Sequence, residues 1–370
     1  MKICLTGYKG FIGSHLGMQL AKEGHEVIGF RWENPNHFPD PSLYDWVIHL
    51  GAITSTTERN VDKILKTNLE YSMKLLEMCD TMGTNFQYAS SASVYGNTGN
   101  FKEDGDVYPL NAYAWSKYLF DRFVNSIMGE FKVLVQGYRY FNVYGNNEES
   151  KGDQASPVTK FANQAKTGKI KLFENSDQYL RDFVCVDDVC EVHSKMMNKD
   201  VSGIFNVGTG APISFQKVAE LVAKKYNAEI EIIPMPTKLQ GQYQTYTSAD
   251  LTELNKNADP SQAKAFTKEF QALAKDFGGA EALEKRLQRS VDAQKEFIAR
   301  DAVLSIQQVK TGQMVNKFAK ERVARADDIV AKQLSIDKID QQILDTEVEM
   351  AQLGSEERAA KERLLDQLEA

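Results

Sequence analysis

The stretch Thr6-Gly7-Tyr8-Lys9-Gly10-Phe11-Ile12-Gly13 decides the fold. It follows Lys2-Ile3-Cys4-Leu5, an apolar run that has the look of a buried strand, and it opens a helix expected from about Phe11 to Glu23. A strand, a glycine turn and a helix in succession aim free backbone N–H groups and a positive dipole end at a pyrophosphate. The glycines permit the tight turn and a close backbone approach. A dinucleotide site is therefore expected here, formed by Gly7, Gly10, Phe11, Ile12 and Gly13. The next strand ends in Phe30-Arg31. An acidic residue at that point would accept a bond from a ribose 2′-OH, whereas an arginine pairs with a 2′-phosphate, so the expected cofactor is NADP.

Outward from this segment, strands and helices alternate. Residues 26–30, 45–50 and 132–138 have strand character, as do 204–207, and a further strand begins at 86–89. Alternation of this kind means βαβ units, hence an α/β fold with a Rossmann-type doubly wound parallel sheet and a small substrate-binding lobe. No repeat of 20–50 residues is evident.

The pattern stops near residue 256. All three Trp, all 15 Tyr, all five His and all four Cys lie before residue 250. Residues 257–370 hold 18 Lys/Arg and 21 Asp/Glu, and Ala, Gln, Glu, Lys and Leu dominate, which means amphipathic helices. Asp259-Pro260-Ser261-Gln262 is a helix start, and breaks are expected at Gly278-Gly279, near Gly312 and at Gly354-Ser355. Ile336, Ile339, Ile343, Met350 and Leu353 fall on a heptad seam. An antiparallel hairpin within one chain and a coiled coil between chains satisfy that seam equally. The expected division is an enzyme domain over 1–256, with its lobe mainly at 146–182 and 208–256, followed by a coiled-coil-like all-α extension over 257–370.

The averages exclude several classes. In 370 residues, 42% hydrophobic and 26% charged, a sizeable core can form. With 44 basic against 51 acidic residues the net charge is −7, so no nucleic-acid partner is expected. Cys4, Cys79, Cys185 and Cys190 form no CxxC pair, so neither a disulfide framework nor a metal is expected. No run of about 18 apolar residues occurs, and the first residues already resemble a strand. A cytoplasmic protein with no membrane partner and no signal peptide is expected.

The chemistry is carried by Ser90-Ser91-Ala92-Ser93-Val94-Tyr95 and by Tyr113-Ala114-Trp115-Ser116-Lys117. A Tyr four residues before a Lys shares its helix face. The ammonium of Lys117 is expected to depress the Tyr113 phenol and hold the nicotinamide ribose. The phenolate then takes a proton from a substrate hydroxyl while hydride leaves the same carbon, with Ser91 bonded to that oxygen.

These residues, in this order, resemble the extended short-chain dehydrogenase/reductases that act on nucleotide sugars. Residues 88–96 (YASSASVYG), 139–145 (RYFNVYG), 181–189 (RDFVCVDDV) and 202–220 (SGIFNVGTGAPISFQKVAE) carry the wider resemblance. Residues 238–254 (KLQGQYQTYTSADLTEL) and the Lys151-Gly152 pair are similar to the ADP-heptose 6-epimerase branch. The resemblance runs from residue 2 to about 255. It implies Tyr113, Lys117 and Ser91 as a catalytic set, with Lys151 as a second acid/base on the opposite face of the sugar. Asn142 would hold the sugar, and Phe173, Glu174, Asn175, Ser176, Arg181 and Tyr243 the nucleoside diphosphate. Gly51, Ala52, Ile53, Thr54 and Asn68 would line the cofactor site. The chain departs from that family in four places. About 14 residues replace a strand–helix pair after Arg31. Asp153 and Lys160 replace a Ser and a His near the sugar, and the terminal helices are missing.

Ala92-Ser93 lacks the acidic pair that a 4,6-dehydratase needs, and Lys151 offers a base that a simple reductase does not need. The expected function is an NADP-dependent epimerase of a nucleotide-diphosphate sugar, homo-oligomeric or built into a larger assembly through its tail. The alternatives are another epimerase or reductase of such sugars, or a non-catalytic assembly protein, for example phage-encoded, that reuses the fold.

Overall fold

The computed structural model describes residues 1–257 apart from 35 and 236–244. Six parallel strands form the central sheet: β1 (Lys2–Thr6), β2 (Glu26–Phe30), β3 (Trp46–His49), β4 (Asn85–Ser91), β5 (Val135–Tyr140) and, further along the chain, β10 (Gly203–Val207). Their order across the sheet is β10-β5-β4-β3-β1-β2. After β1 the chain steps outward to β2, then returns to lay β3 on the other side of β1. The loops leaving β1 and β3 diverge at that reversal and open a crevice at the carboxyl ends of the strands. β2 is the sheet edge, as the short segment after Arg31 requires. Among the described residues of 31–45 there is only a 3₁₀ turn, Pro41–Leu43, capped by Asp40, whose Oδ1 accepts the Ser42 N–H.

Alternation along the strands explains why both sheet faces are covered. Ile3 and Leu5 point into one core with Trp46, Ile48 and Tyr138, while Cys4 and Val47 point into the other with Phe86 and Tyr88. The first core is closed by α1 (Phe11–Lys22) and α6 (Val186–Met196), through Leu16, Leu20, Val189 and Met196. The second is closed by α3 (Tyr71–Met82) and α4 (Ala112–Ser126), through Leu75, Leu76, Phe120 and Val124. Ahead of α3 stand a single α turn, α2 (Val61–Ile64), and a six-residue π segment, Leu65–Glu70.

The fifth strand departs from the expected 132–138. It starts at Val135, because the Lys132 N–H is taken by Asp80 Oδ1 at 2.6 Å and the Leu134 N–H by Asn85 Oδ1 at 3.0 Å. Those two bonds give the N–H groups of 132 and 134 to side chains, while the Leu134 carbonyl still accepts the Phe86 N–H at 2.8 Å.

The lobe has its own core. A strand pair, β7 (Lys169–Phe173) with β12 (Glu229–Ile233), packs under α5 (Pro157–Ala165) and α7 (Phe215–Tyr226). Phe161, Ile170, Leu172, Phe183, Val218 and Val222 fill it. Two short pairs join lobe to sheet: β6 (Asn142–Tyr144) with β9 (Phe183–Cys185), and β8 (Leu180–Arg181) with β11 (Ile213–Ser214). Helix α8 (Thr252–Asn257) buries Leu254 in the first core. The helices and heptad seam expected in the tail lie outside the described residues.

The glycine turn is the tightest part of the frame. Gly7 sits at φ +68°, and a Cβ there would stand 2.7 Å from the Gly51 nitrogen. A Cβ on Gly13 would run into the Gly7 carbonyl oxygen, whereas one on Gly10 would meet only that oxygen, at 3.2 Å. Gly13→Ala is therefore expected to destabilise the protein by about 1–3 kcal/mol, as overpacking does. Gly10→Ala should change stability much less; chemical denaturation of the two variants checks the contrast.

Candidate active site

The loop after β1 ends in α1, whose N-cap, Gly10, offers no side chain and whose first turn carries no acidic residue. The N–H groups of Phe11, Ile12 and Gly13 are thus left for an anion. The loop after β3 faces it. Gly51, Ala52 and Ile53 are half-buried there, and Thr54 is exposed. Arg31, just past β2, is exposed, and its guanidinium makes no ion pair among the described residues.

Asn68, expected to line the cofactor site, is held from within the protein. It is 1% exposed, and both amide hydrogens and the amide oxygen meet partners inside the protein. Oδ1 accepts the Ile53 N–H at 2.8 Å, and Nδ2 donates to the Ile53 carbonyl at 2.9 Å and to Ser116 Oγ at 3.1 Å. The Ser116 hydroxyl donates to the Tyr113 carbonyl at 2.7 Å. Asn68 is a brace between the loop after β3 and helix α4. The π segment aims it, and such segments commonly mark functional sites.

A buried chain of hydrogen bonds leads from this brace back to the glycine turn. The Gly51 N–H donates to Thr6 Oγ1 at 3.1 Å. The Thr6 hydroxyl lies 2.7 Å from His49 Nδ1, and His49 Nε2 lies 2.9 Å from Ser72 Oγ. The Ser72 hydroxyl donates to the Asn68 carbonyl at 2.7 Å. Burial and the Lys117 charge hold the imidazole neutral, with its pKa lowered to about 3. Neutral His49 then accepts at Nδ1 and donates at Nε2, so every donor in the chain points the same way.

Helix α4 begins with Asn111, whose side chain accepts the Ala114 N–H at 2.9 Å. Tyr113 and Lys117 come next, on the face toward β4. The Ser91 side chain lies near enough to the Tyr113 phenol to lower its pKa, and Ser91 Oγ accepts the Ser93 N–H at 3.2 Å. Lys117 is 6% exposed and donates to the Ala89 carbonyl at 2.8 Å. Burial lowers its pKa to about 8, opposed by the charge of Asp121 one turn on. The expected depression of the phenol by this ammonium is not found. Burial raises the Tyr113 pKa, and only the Ser91 side chain pulls it down. Lys117 is turned to the β4 backbone, and its charge is offset by Asp121.

Asp121, which the residue pattern did not single out, lies 1% exposed behind this pair. It accepts from Tyr88 at 3.0 Å, from Ser90 at 2.9 Å and from Arg139 Nε at 2.8 Å. Arg139 Nη1 donates to the Tyr95 hydroxyl at 3.0 Å and to the Glu103 carbonyl at 3.1 Å. The Tyr95 hydroxyl donates to Asn206 Oδ1 at 2.7 Å. The signal for Asp121 was available: Tyr113, Lys117 and Asp121 recur at a spacing of four along one helix face.

Lys151 lies in a 3₁₀ segment, Glu148–Gln154. Its ammonium is 5.3 Å from the centre of the Phe11 ring and donates to Glu148 Oε1 at 3.2 Å. Asn142 is half-buried on β6; its N–H bonds the Asp182 carbonyl at 3.0 Å, and its side-chain amide has no partner among the described residues. The described residues expected at the nucleoside diphosphate lie in the lobe, from the end of β7 to β8. Phe173 ends β7, Glu174 and Asn175 form an exposed turn, and the buried Ser176 hydroxyl donates to the Phe173 carbonyl at 2.6 Å. The Arg181 guanidinium lies 5.5 Å from the centre of the Phe215 ring. Lys160 is exposed on α5. The Asp153 side chain and Tyr243 lie outside the described residues.

Known proteins resemble this chain in sequence and fold. The NAD dependent epimerase/dehydratase family matches residues 37–208. An ADP-L-glycero-D-manno-heptose-6-epimerase from Brachyspira hyodysenteriae is 46% identical over 286 residues, which is 68% of this chain and 90% of that protein. The crystal structure of the Helicobacter pylori enzyme of the same name superposes with a TM-score of 0.62 at 27% identity, covering 73% of this chain and 96% of that one. A Thermotoga maritima UDP-glucose 4-epimerase with UDP-glucose gives 0.60 at 25% identity, covering 74% and 99%.

The buried imidazole makes a pH prediction. With a folded-state pKa of about 3 against an ordinary 6.5, the unfolded chain binds the proton more readily. The contribution is complete above pH 6.5 and declines toward pH 3, by about 1.4 kcal/mol per unit. Between pH 7 and pH 5 the wild type should lose about 2 kcal/mol more stability than His49→Gln. Denaturant titrations at both pH values measure the difference.

Proposed function

The chain belongs to the NAD dependent epimerase/dehydratase family, and from that premise we propose that it inverts one carbon of a nucleotide-diphosphate sugar, as ADP-heptose 6-epimerases do, with NADP as the preferred cofactor. This reading is supported by two proton-handling groups that stand beside residues at the carboxyl ends of strands, Ser91 ending β4 and Phe11 following β1. Tyr113, beside Ser91, comes from the α4 side of the sheet, and Lys151 meets Phe11 on the α1 side. A reductase needs only the first of these.

The residues present fit a dinucleotide. The uncapped, acid-free start of α1 suits its pyrophosphate, and the exposed guanidinium of Arg31 suits a 2′-phosphate. When bound, the dinucleotide supplies a hydride acceptor and returns the same hydride, so the net reaction has no redox change. Tyr113 takes the hydroxyl proton as the substrate carbon is oxidised to a ketone. Ser91 bonds the developing oxygen. Lys117, anchored on the Ala89 carbonyl, holds the ribose. Lys151 returns a proton once the ketone has presented its other face. Asn142 bonds the sugar with its unpartnered amide, and Arg181 supplies a planar, permanent charge to the diphosphate. Phe173, Glu174, Asn175 and Ser176 form the turn that receives the nucleoside.

Tyr113→Phe is expected to lower kcat by about 10²–10⁴ and to block the first oxidation, read as the absorbance of reduced cofactor. Lys151→Ala should still permit that partial reaction but suppress inversion of ADP-glycero-manno-heptose. Undiminished inversion by Lys151→Ala would exclude the second acid/base; inversion of UDP-hexoses at the same rate would exclude the heptose preference.

The cofactor preference is tested separately by fluorescence titration with NADPH and NADH. The wild type should favour NADPH by about 1–3 kcal/mol, and Arg31→Asp should erase or reverse the preference. Equal wild-type affinities would sink this assignment.

A further inference from the structure

Glu148 is 0% exposed and receives four donors. The Ser156 N–H reaches Oε1 at 2.8 Å, the Ser156 hydroxyl reaches Oε2 at 2.6 Å and the Thr159 hydroxyl reaches Oε2 at 2.5 Å. The fourth is the Lys151 ammonium, on Oε1 at 3.2 Å. A helix cap would not require this carboxylate, because Ser156 already caps α5 by accepting the Thr159 N–H. Three of the four donors are neutral. A carboxylate buried with neutral donors alone is costly, and Lys151 is the cation that compensates it. Left-handed backbone at Asn147 (φ 61°) and Gly152 (φ 52°) brackets the segment and turns residues 148 and 151 to one side. The carboxylate and the face of Phe11 therefore fix the Lys151 nitrogen between the lobe and the glycine loop.

We propose that Glu148 is the positioning residue of the second acid/base, holding Lys151 at the crevice as a protonated donor. This rests on the two-base reading above. In the return step the O–H bond to the ketone oxygen forms as an N–H bond of Lys151 breaks. The carbonyl carbon takes hydride from the reduced dinucleotide at the same time. The neutral amine left beside Glu148 regains its proton from water. Glu148 acts only through Lys151, whose ammonium it keeps in place.

The test is a double-mutant cycle on the full-length protein with ADP-glycero-manno-heptose. Glu148→Gln should lower kcat for inversion on the order of tenfold or more. KM, NADPH affinity and reduced-cofactor formation at the Tyr113 face should stay within about twofold, because those belong to other residues. The double variant with Lys151→Ala should be no slower than Lys151→Ala alone. If the two losses multiply, or if Glu148→Gln lowers the melting temperature while kcat is unchanged, Glu148 is structural and the proposal fails alone. Wild-type inversion by Lys151→Ala overturns the two-base reading and this proposal with it. Should Glu148→Gln not fold, Glu148→Asp enters the same cycle under the same criteria, keeping the charge but shortening its reach.

Discussion

The ion pair of Asp121 with Arg139 is the interaction on which the rest depends. Both side chains are almost wholly excluded from water, at 1% and 3% exposure. Removing two charges from water costs several kcal/mol each, and only full hydrogen bonding offsets it. Asp121 meets that condition with donors from β4 and β5, and Arg139 meets it with Tyr95 and the Glu103 carbonyl. The pair therefore fixes helix α4 against two central strands at one point. Tyr113 and Lys117 stand on the two turns just before that point, so the orientation of the pair that would handle the proton is inherited from a contact neither of them makes.

Buried carboxylates recur as fasteners elsewhere. Asp182 is 0% exposed and gathers the Thr209 N–H and hydroxyl, the Gly210 N–H and the Ala249 N–H, at 2.6–2.8 Å. It thereby ties the loop after β10 and the segment before α8 to the strand that carries Arg181. Glu148 does the same for α5 and Lys151. These loops have little apolar surface with which to pack, so charge-assisted hydrogen bonds take the place of core contacts. In each case the carboxylate lies within three residues of a cation proposed to face the substrate.

What was legible in the sequence was local. The turn from Gly7 to Gly13, the serine strand and the Tyr113–Lys117 spacing each express geometry within a dozen residues, and each falls where the pattern predicts. The illegible part was long-range. Nothing in the neighbourhood of Asn68 announces that its amide closes on Ile53 and Ser116, so its part as a brace shows only in three dimensions. The Tyr113 phenol departs from expectation for a related reason. Spacing puts a lysine beside it, but where that lysine spends its charge depends on Ala89 and Asp121. The late start of β5 likewise reflects side chains of Asp80 and Asn85, more than 45 residues upstream in sequence, that capture its backbone.

The π segment at Leu65–Glu70 has a consequence for how this gene can change. A π turn is an α-helix carrying one surplus residue, and that surplus rotates all later residues by about 100° relative to an uninterrupted helix. Here it lets Asn68 face Ile53 while Leu75, Leu76 and Cys79 of the continuing helix still face the second core. Loss of any one codon from this stretch would restore ordinary α geometry and swing either the amide or the apolar stripe away from its partner. The segment is therefore intolerant of single-residue deletion in a way that its sequence, Leu65-Lys66-Thr67-Asn68-Leu69-Glu70, does not betray, and length there is constrained as strictly as residue identity.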